Sequence, residues 1–346
     1  MKSKLMAAFG ASIIFLTGLS AEAATDDRSW NLDEMINPEL RDDFSKRQPI
    51  DFTDYKARRR ALTFDPSSLP TDDRVTVNDV MLIGAGVPDL RLRIYRPTTK
   101  LKEYPAILWT HGGGHIMGSP ELYERLLLKM AREIECIIVA PDYRLAPENP
   151  YPADLDDCYA ALKWMTDRKK SRLPIDKTRV AVAGDSAGGG LAVAVAMRAR
   201  DDKKGPAICF DMPLYPQLDY TDTTDSSYQI TDHRVWNRDA NQFAWRAYLN
   251  NRLTNVEEYA SPAHAKDLAG MPPTYIMIGT LDMFRDEAID YAQRLMDAGV
   301  PVELHVIPGL THAFNTVVPD NPLSIRLTDE FIAALKHALN AQVSSK

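Results

Sequence analysis

The five residues Gly184-Asp185-Ser186-Ala187-Gly188 stand between an apolar run at 180–183 and a small-residue helical run at 191–199. A buried strand that becomes a helix within so few residues must turn sharply, and glycines on both sides of one serine allow it. Ser186 is thereby left at the end of a strand, a place from which a hydroxyl can act as a nucleophile. The same five residues also occur by chance in plain strand-to-helix turns, so a nucleophile needs partners elsewhere in the chain.

The rest of the chain fits around that turn. From about residue 73, strand-like runs at 74–82, 90–95, 106–109, 136–140, 179–183, 207–212, 274–278 and 302–307 alternate with helical stretches. One of these, the amphipathic stretch 287–298, stops at Gly299. Short buried strands alternating with helices predict an α/β fold with a mostly parallel central sheet and helices on both faces. Two intervals break the rhythm. Residues 24–72 are polar and helical in pattern, with a sparse apolar face from Trp30, Met35, Leu40 and Phe44 and breaks at Pro66 and Pro70. Residues 216–251 begin polar and then turn helical around Phe243, Ala244, Ala247 and Tyr248, which reads as an insertion. The predicted division is therefore 24–72, a domain formed by 73–215 and 252–346, and the insertion 216–251.

The first residues read as a targeting signal. Lys2 and Lys4 precede an apolar stretch at 5–19, and Ala21-Glu22-Ala23 has the A-x-A form of a cleavage site. Fifteen or so apolar residues are too few for a good membrane span. Residues 1–23 are thus expected to be a signal peptide, with the mature protein periplasmic or secreted and without a stable membrane anchor. The formal net charge of −7 argues against nucleic acid or an anionic membrane as partner. The basic run Arg58-Arg59-Arg60 reads as solvated surface. Export permits disulfides, yet Cys136, Cys158 and Cys209 are odd in number, and each reads as a small core residue.

His111-Gly112-Gly113-Gly114-His115 follows the strand run ending near Trp109. Three glycines let a substrate approach the backbone, whose N–H groups can then point at a developing oxyanion. The loop has no phosphate-binding pattern, and His111 and His115 lack further ligands at metal-binding spacing, so neither a metal nor a cofactor is expected. A serine nucleophile requires a base, and the base an orienting acid. Asp282 lies just past the run at 274–278 and His312 just past that at 302–307. Asp286 and Glu287 compete for the acid, but they open the next helix, where carboxylates serve the dipole. His305 competes for the base but falls inside a strand pattern.

Taken together, the HGGG stretch at 111–114, Asp142-Tyr143-Arg144-Leu145-Ala146-Pro147-Glu148 with Tyr151-Pro152-Ala153, GDSAGG at 184–189, Asp282 with Arg285-Asp286-Glu287, and Gly309 with His312 and Phe314 resemble the hormone-sensitive-lipase-like esterases of the α/β-hydrolases. The likeness covers roughly residues 74–338. It implies an α/β-hydrolase fold with a helical cap built from 24–72 and 216–251. It further implies Ser186 as nucleophile, Asp282 as acid, His312 as base, and Gly113, Gly114 and Ala187 as oxyanion donors. His115 and Met283-Phe284 depart from the common pattern of relatives at positions expected near the pocket. The expected activity is hydrolysis of a short- to medium-chain carboxylic ester, a small molecule, through an acyl-enzyme. An exported deacetylase or amidase of the same fold is the alternative. A non-catalytic binder, such as the plant gibberellin receptors that resemble this fold without the catalytic histidine, is disfavoured by His312. The cap is expected to wall the acyl site with Phe44, Trp236 or Phe243.

Overall fold

The computed structural model describes residues 28–341. The expected signal peptide lies outside the described residues. All eight strands expected from the apolar runs are present: β1 (Val75–Leu82), β2 (Leu90–Pro97), β3 (Tyr104–Thr110), β4 (Ile137–Pro141), β5 (Ile175–Asp185), β6 (Phe210–Leu214), β7 (Thr274–Leu281) and β8 (Val302–Thr311). They form one sheet in the order β1-β2-β4-β3-β5-β6-β7-β8. The first two pairings, β1 with β2 and β2 with β4, are antiparallel, and all later ones are parallel. This is the α/β-hydrolase architecture. Every residue of β3, β4 and β6 is buried, because helices cover both faces. The helices Glu124–Ile134 and Pro322–Ala341 pack together, as do Ala153–Thr166 and Ala187–Asp201.

The parallel strands β3, β5, β7 and β8 point their carboxyl ends the same way. The loops leaving them therefore converge at one rim, which is where open α/β sheets bind ligands. Over that rim lie the two intervals that broke the sequence rhythm. The N-terminal one holds only short helices, such as Leu32–Met35, Arg41–Ser45 and Tyr55–Ala61. Its inward face is Leu32, Ile36, Leu40 and Phe44, all buried, whereas Met35 is 43% exposed; the helical stripe is shifted by one residue from the expected one at that turn. This segment is tied to the far end of the chain. Asn37 donates from its backbone N–H to Gly309 O at 2.9 Å and from Nδ2 to Pro308 O at 3.1 Å. Asn321 Nδ2 donates to Glu39 O at 2.8 Å. Between β6 and β7, the helices Asp225–Gln229 and Arg238–Tyr248 complete the cover. All three cysteines are free; Cys136 and Cys158 are buried as expected, while Cys209 is only half-buried. Among the described residues no helix is long and apolar enough to cross a membrane.

Candidate active site

Ser186 is the residue between β5 and the helix Ala187–Asp201, with φ 55° and ψ −125°. A non-glycine residue at positive φ costs on the order of 1–3 kcal/mol and persists only where its surroundings hold it. Here they do. Ser186 N–H donates to Leu214 O at 2.9 Å, and Ser186 O accepts from Gly190 and Gln217 N–H, each at 3.0 Å. The serine itself makes the sharp turn that the sequence assigned to its glycines. Gly184 and Gly188 serve a different end: a Cβ at either would collide with Thr110 and its surroundings, so the strand and the loop after β3 could not approach.

The three candidate catalytic residues meet. Ser186 Oγ–H donates to His312 Nε2 at 2.8 Å, and His312 Nδ1–H donates to Asp282 Oδ2 at 2.7 Å. Asp282 also accepts from Phe284 N–H at 3.0 Å. The imidazole is held edge-on by Tyr215 and Phe284, with ring centroids 5.0 and 5.1 Å away. All three residues are buried, Ser186 being 6% exposed. The competitors lie elsewhere. His305 bonds to Glu303 at 2.8 Å and Glu330 at 2.9 Å at the edge of β8. Asp286 accepts from Ser226 N–H at 2.7 Å, and Glu287 accepts from Leu218 N–H at 2.6 Å. Burial holds the Glu287 carboxyl well above its ordinary range.

Gly113 and Gly114, at φ 122° and 61°, line the same cavity as Ser186 and His312. Gly112 N–H is consumed within the protein, donating to Asp185 Oδ1 at 2.9 Å and to Tyr123 Oη at 3.1 Å. Ala187 is the first residue of its helix, so its N–H has no intrahelical acceptor and sits at the positive end of the helix dipole. Asp185 had no role assigned from sequence, although it is the second residue of the turn. Its carboxylate receives Tyr123 Oη–H at 2.8 Å and Tyr215 Oη–H at 3.2 Å in addition to Gly112. It thereby joins the loop after β3 to the loop after β6. Burial raises this carboxyl from its ordinary 3.8 to about 6 against those hydrogen bonds. An acidic residue inside an apolar strand end was the available signal, since a buried carboxylate must be partnered.

The cavity measures about 520 Å³, and its walls include Phe52, Leu62, Val235 and Trp236. Of the expected aromatic wall only Trp236 lines it. Phe44 is fully buried in the core, and Phe243 packs on Tyr55 instead. Of the positions expected near the pocket, Phe284 packs edge-on against His312, while His115, next to the cavity residue Gly114, and Met283 do not themselves line the cavity. His115 turns inward to Asp154, 2.7 Å away, and stacks on Tyr248, whereas Met283 is buried in the core. Nor is the basic run 58–60 uniformly solvated. Arg59 is half-buried and clamps Ile116 O, Ala146 O and Glu148, and Arg58 lines the cavity; the short helix turns one arginine to each side.

A buried serine, histidine and aspartate linked in series beneath an apolar cavity define the class of hydrolases that the fold carries. A family model described as alpha/beta hydrolase fold matches residues 107–316, and the chain belongs to that family, among its hormone-sensitive-lipase-like esterases. It is 35% identical over 274 residues to esterase LipI of Mycobacterium tuberculosis, which covers 78% of this chain and 85% of that one. Carboxylesterase NlhH of the same organism is 34% identical over 291 residues, covering 83% and 89%. Among solved structures, a bacterial heroin esterase superposes with a TM-score of 0.84 at 34% identity, over 89% of this chain and 99% of its own. The chain is a carboxylic ester hydrolase.

Proposed function

We propose that Ser186 attacks the ester carbonyl while His312 takes its proton, giving a tetrahedral intermediate. Its oxyanion is held by the N–H groups of Gly113, Gly114 and Ala187. His312 then protonates the departing alcohol, and water releases the acid from the acyl-enzyme by the same steps. Asp282 keeps the Nδ1–H tautomer and stabilises the imidazolium. The observation that carries this reading is the unbroken hydrogen-bonded series from Ser186 through His312 to Asp282. The insertion 216–251 and the described part of the segment 24–72 act as the cap. Phe52 and Trp236 contribute its apolar wall, which favours short- to medium-chain acyl groups. Lys2, Lys4, the apolar stretch 5–19 and Ala21-Glu22-Ala23 support export to the periplasm or medium.

Hydrolysis of 4-nitrophenyl esters from acetyl to palmitoyl, by the parent protein and by Ser186→Ala, tests the mechanism. The variant should lose roughly 10⁴–10⁶-fold in kcat with its circular dichroism unchanged. Retention of most activity, or labelling of another residue by a serine-reactive phosphonate, refutes the assignment. Amino-terminal sequencing of exported protein should begin at Ala24.

A further inference from the structure

Two arginines of the N-terminal segment, Arg47 and Arg58, line the cavity together with Gly113, Gly114, Ser186 and His312. Arg47 spends one N–H on the protein, from Nη1 to Thr311 Oγ1 at 3.3 Å, next to the catalytic histidine. Among the described residues its Nε and Nη2 are buried with no protein acceptor, and so is Nε of Arg58. The carboxylates close by are engaged elsewhere. Asp43 accepts from Asn321 at 2.7 Å, and Asp232 pairs with Arg234 at 2.6 Å. Asp185 also borders the cavity, but Tyr123, Tyr215 and Gly112 occupy its oxygens. A guanidinium cannot shed its proton to escape burial, and buried donors left unpaired are costly. Burial accordingly holds Arg47 below its ordinary range, with Asp43 only partly offsetting it.

We propose that Arg47, assisted by Arg58, binds a carboxylate carried by the ester substrate, so that the preferred substrates are esters bearing an acid group. A carboxylate offers two oxygens to the two N–H groups of one guanidinium edge, here Nε and Nη2 of Arg47, the geometry in which arginine binds most strongly. It would meet the unpaired donors and balance the cationic side of the cavity, where the third lining arginine, Arg234, is already paired with Asp232 and Asp33. The inference rests on the ester-hydrolase reading of the same cavity and names the substrate class within it.

The test compares kcat/KM for two matched pairs at fixed ionic strength, followed by proton release. With the acid on the acyl side, monoethyl adipate is set against ethyl 6-methylheptanoate, in which an isopropyl group replaces the carboxylate. With the acid on the alcohol side, 4-acetoxybenzoate is set against 4-isopropylphenyl acetate. The parent enzyme should favour the charged member of at least one pair. Arg47→Met should cut that charged-to-neutral ratio roughly 10–100-fold, and Arg58→Met should cut it less. If the neutral esters are hydrolysed and neither charged ester is favoured, the arginine proposal alone is overturned. It is overturned also if both variants are folded and keep the parent ratio. If none of the four esters is hydrolysed, the ester-hydrolase reading itself fails. The parent ratio decides the matter even where a variant does not fold.

Discussion

Replacing Asp185 by asparagine removes a titration that the fold makes expensive. The carboxyl goes from an ordinary value of 3.8 to about 6 because burial opposes its charge more than Tyr123, Tyr215 and Gly112 favour it. A folded-state value raised above the unfolded one means that stability is fully present below the unfolded value and is lost as pH rises through the folded one. Two units at about 1.4 kcal/mol each give a total loss of about 3 kcal/mol, of which about 2 falls between pH 4.5 and 7.5. Asparagine has nearly the same shape, keeps an oxygen for Gly112 N–H, and does not titrate. Whatever hydrogen bonding it forfeits is independent of pH. The difference in unfolding free energy, variant minus parent, should therefore move by about 2 kcal/mol in favour of Asp185→Asn between those pH values. Urea unfolding followed by tryptophan fluorescence at both pH values measures it. A difference that stays flat within about 0.5 kcal/mol would refute the reasoning, because it would mean that Asp185 folds with an ordinary affinity for its proton.

Two further outcomes are expected. Asp211 in β6 is wholly buried, neither carboxylate oxygen has a well-formed hydrogen bond among the described residues, and burial holds the group well above its ordinary range despite the neighbouring Met212 N–H. Asp211→Leu should thus stabilise the protein by roughly 1–3 kcal/mol at pH 8, measured by urea unfolding, whereas a loss of stability would show that the carboxyl is satisfied in solution. Phe52 walls the cavity, so each added acyl methylene should raise kcat/KM up to about fourfold in the parent over short chains. Phe52→Ala should flatten that series, and an unchanged slope would place the acyl chain elsewhere.

The candidate catalytic residues and the sheet were legible because both rest on local patterns. Eight apolar runs became eight strands, since a strand buried on both faces has no polar alternation to obscure it. Asp282 and His312 were legible through their positions just past two of those runs. What was not legible depends on packing between distant segments. Arg58 looked like a member of a solvated run, and only the fold of residues 28–72 over the rim turns it to the cavity. Arg47 gave no signal at all, being one basic residue in a polar stretch. His115 stands at a position expected near the pocket, and its inward turn is set by Asp154 and Tyr248, 39 and 133 positions away along the chain. The positive φ of Ser186 was hidden behind glycines whose absent side chains explain a different contact.

The bonds of Asn37 to Pro308 and Gly309 join residues 271 and 272 positions apart. The wall carrying Arg47 and Phe52 is thus made first on the ribosome, and its seat is made among the last strands. Closing so long a loop is slow compared with pairing neighbours. A nascent chain that stops before β8 lacks both His312 and the residues that hold Asn37, so the N-terminal segment has no seat until the last strand is made.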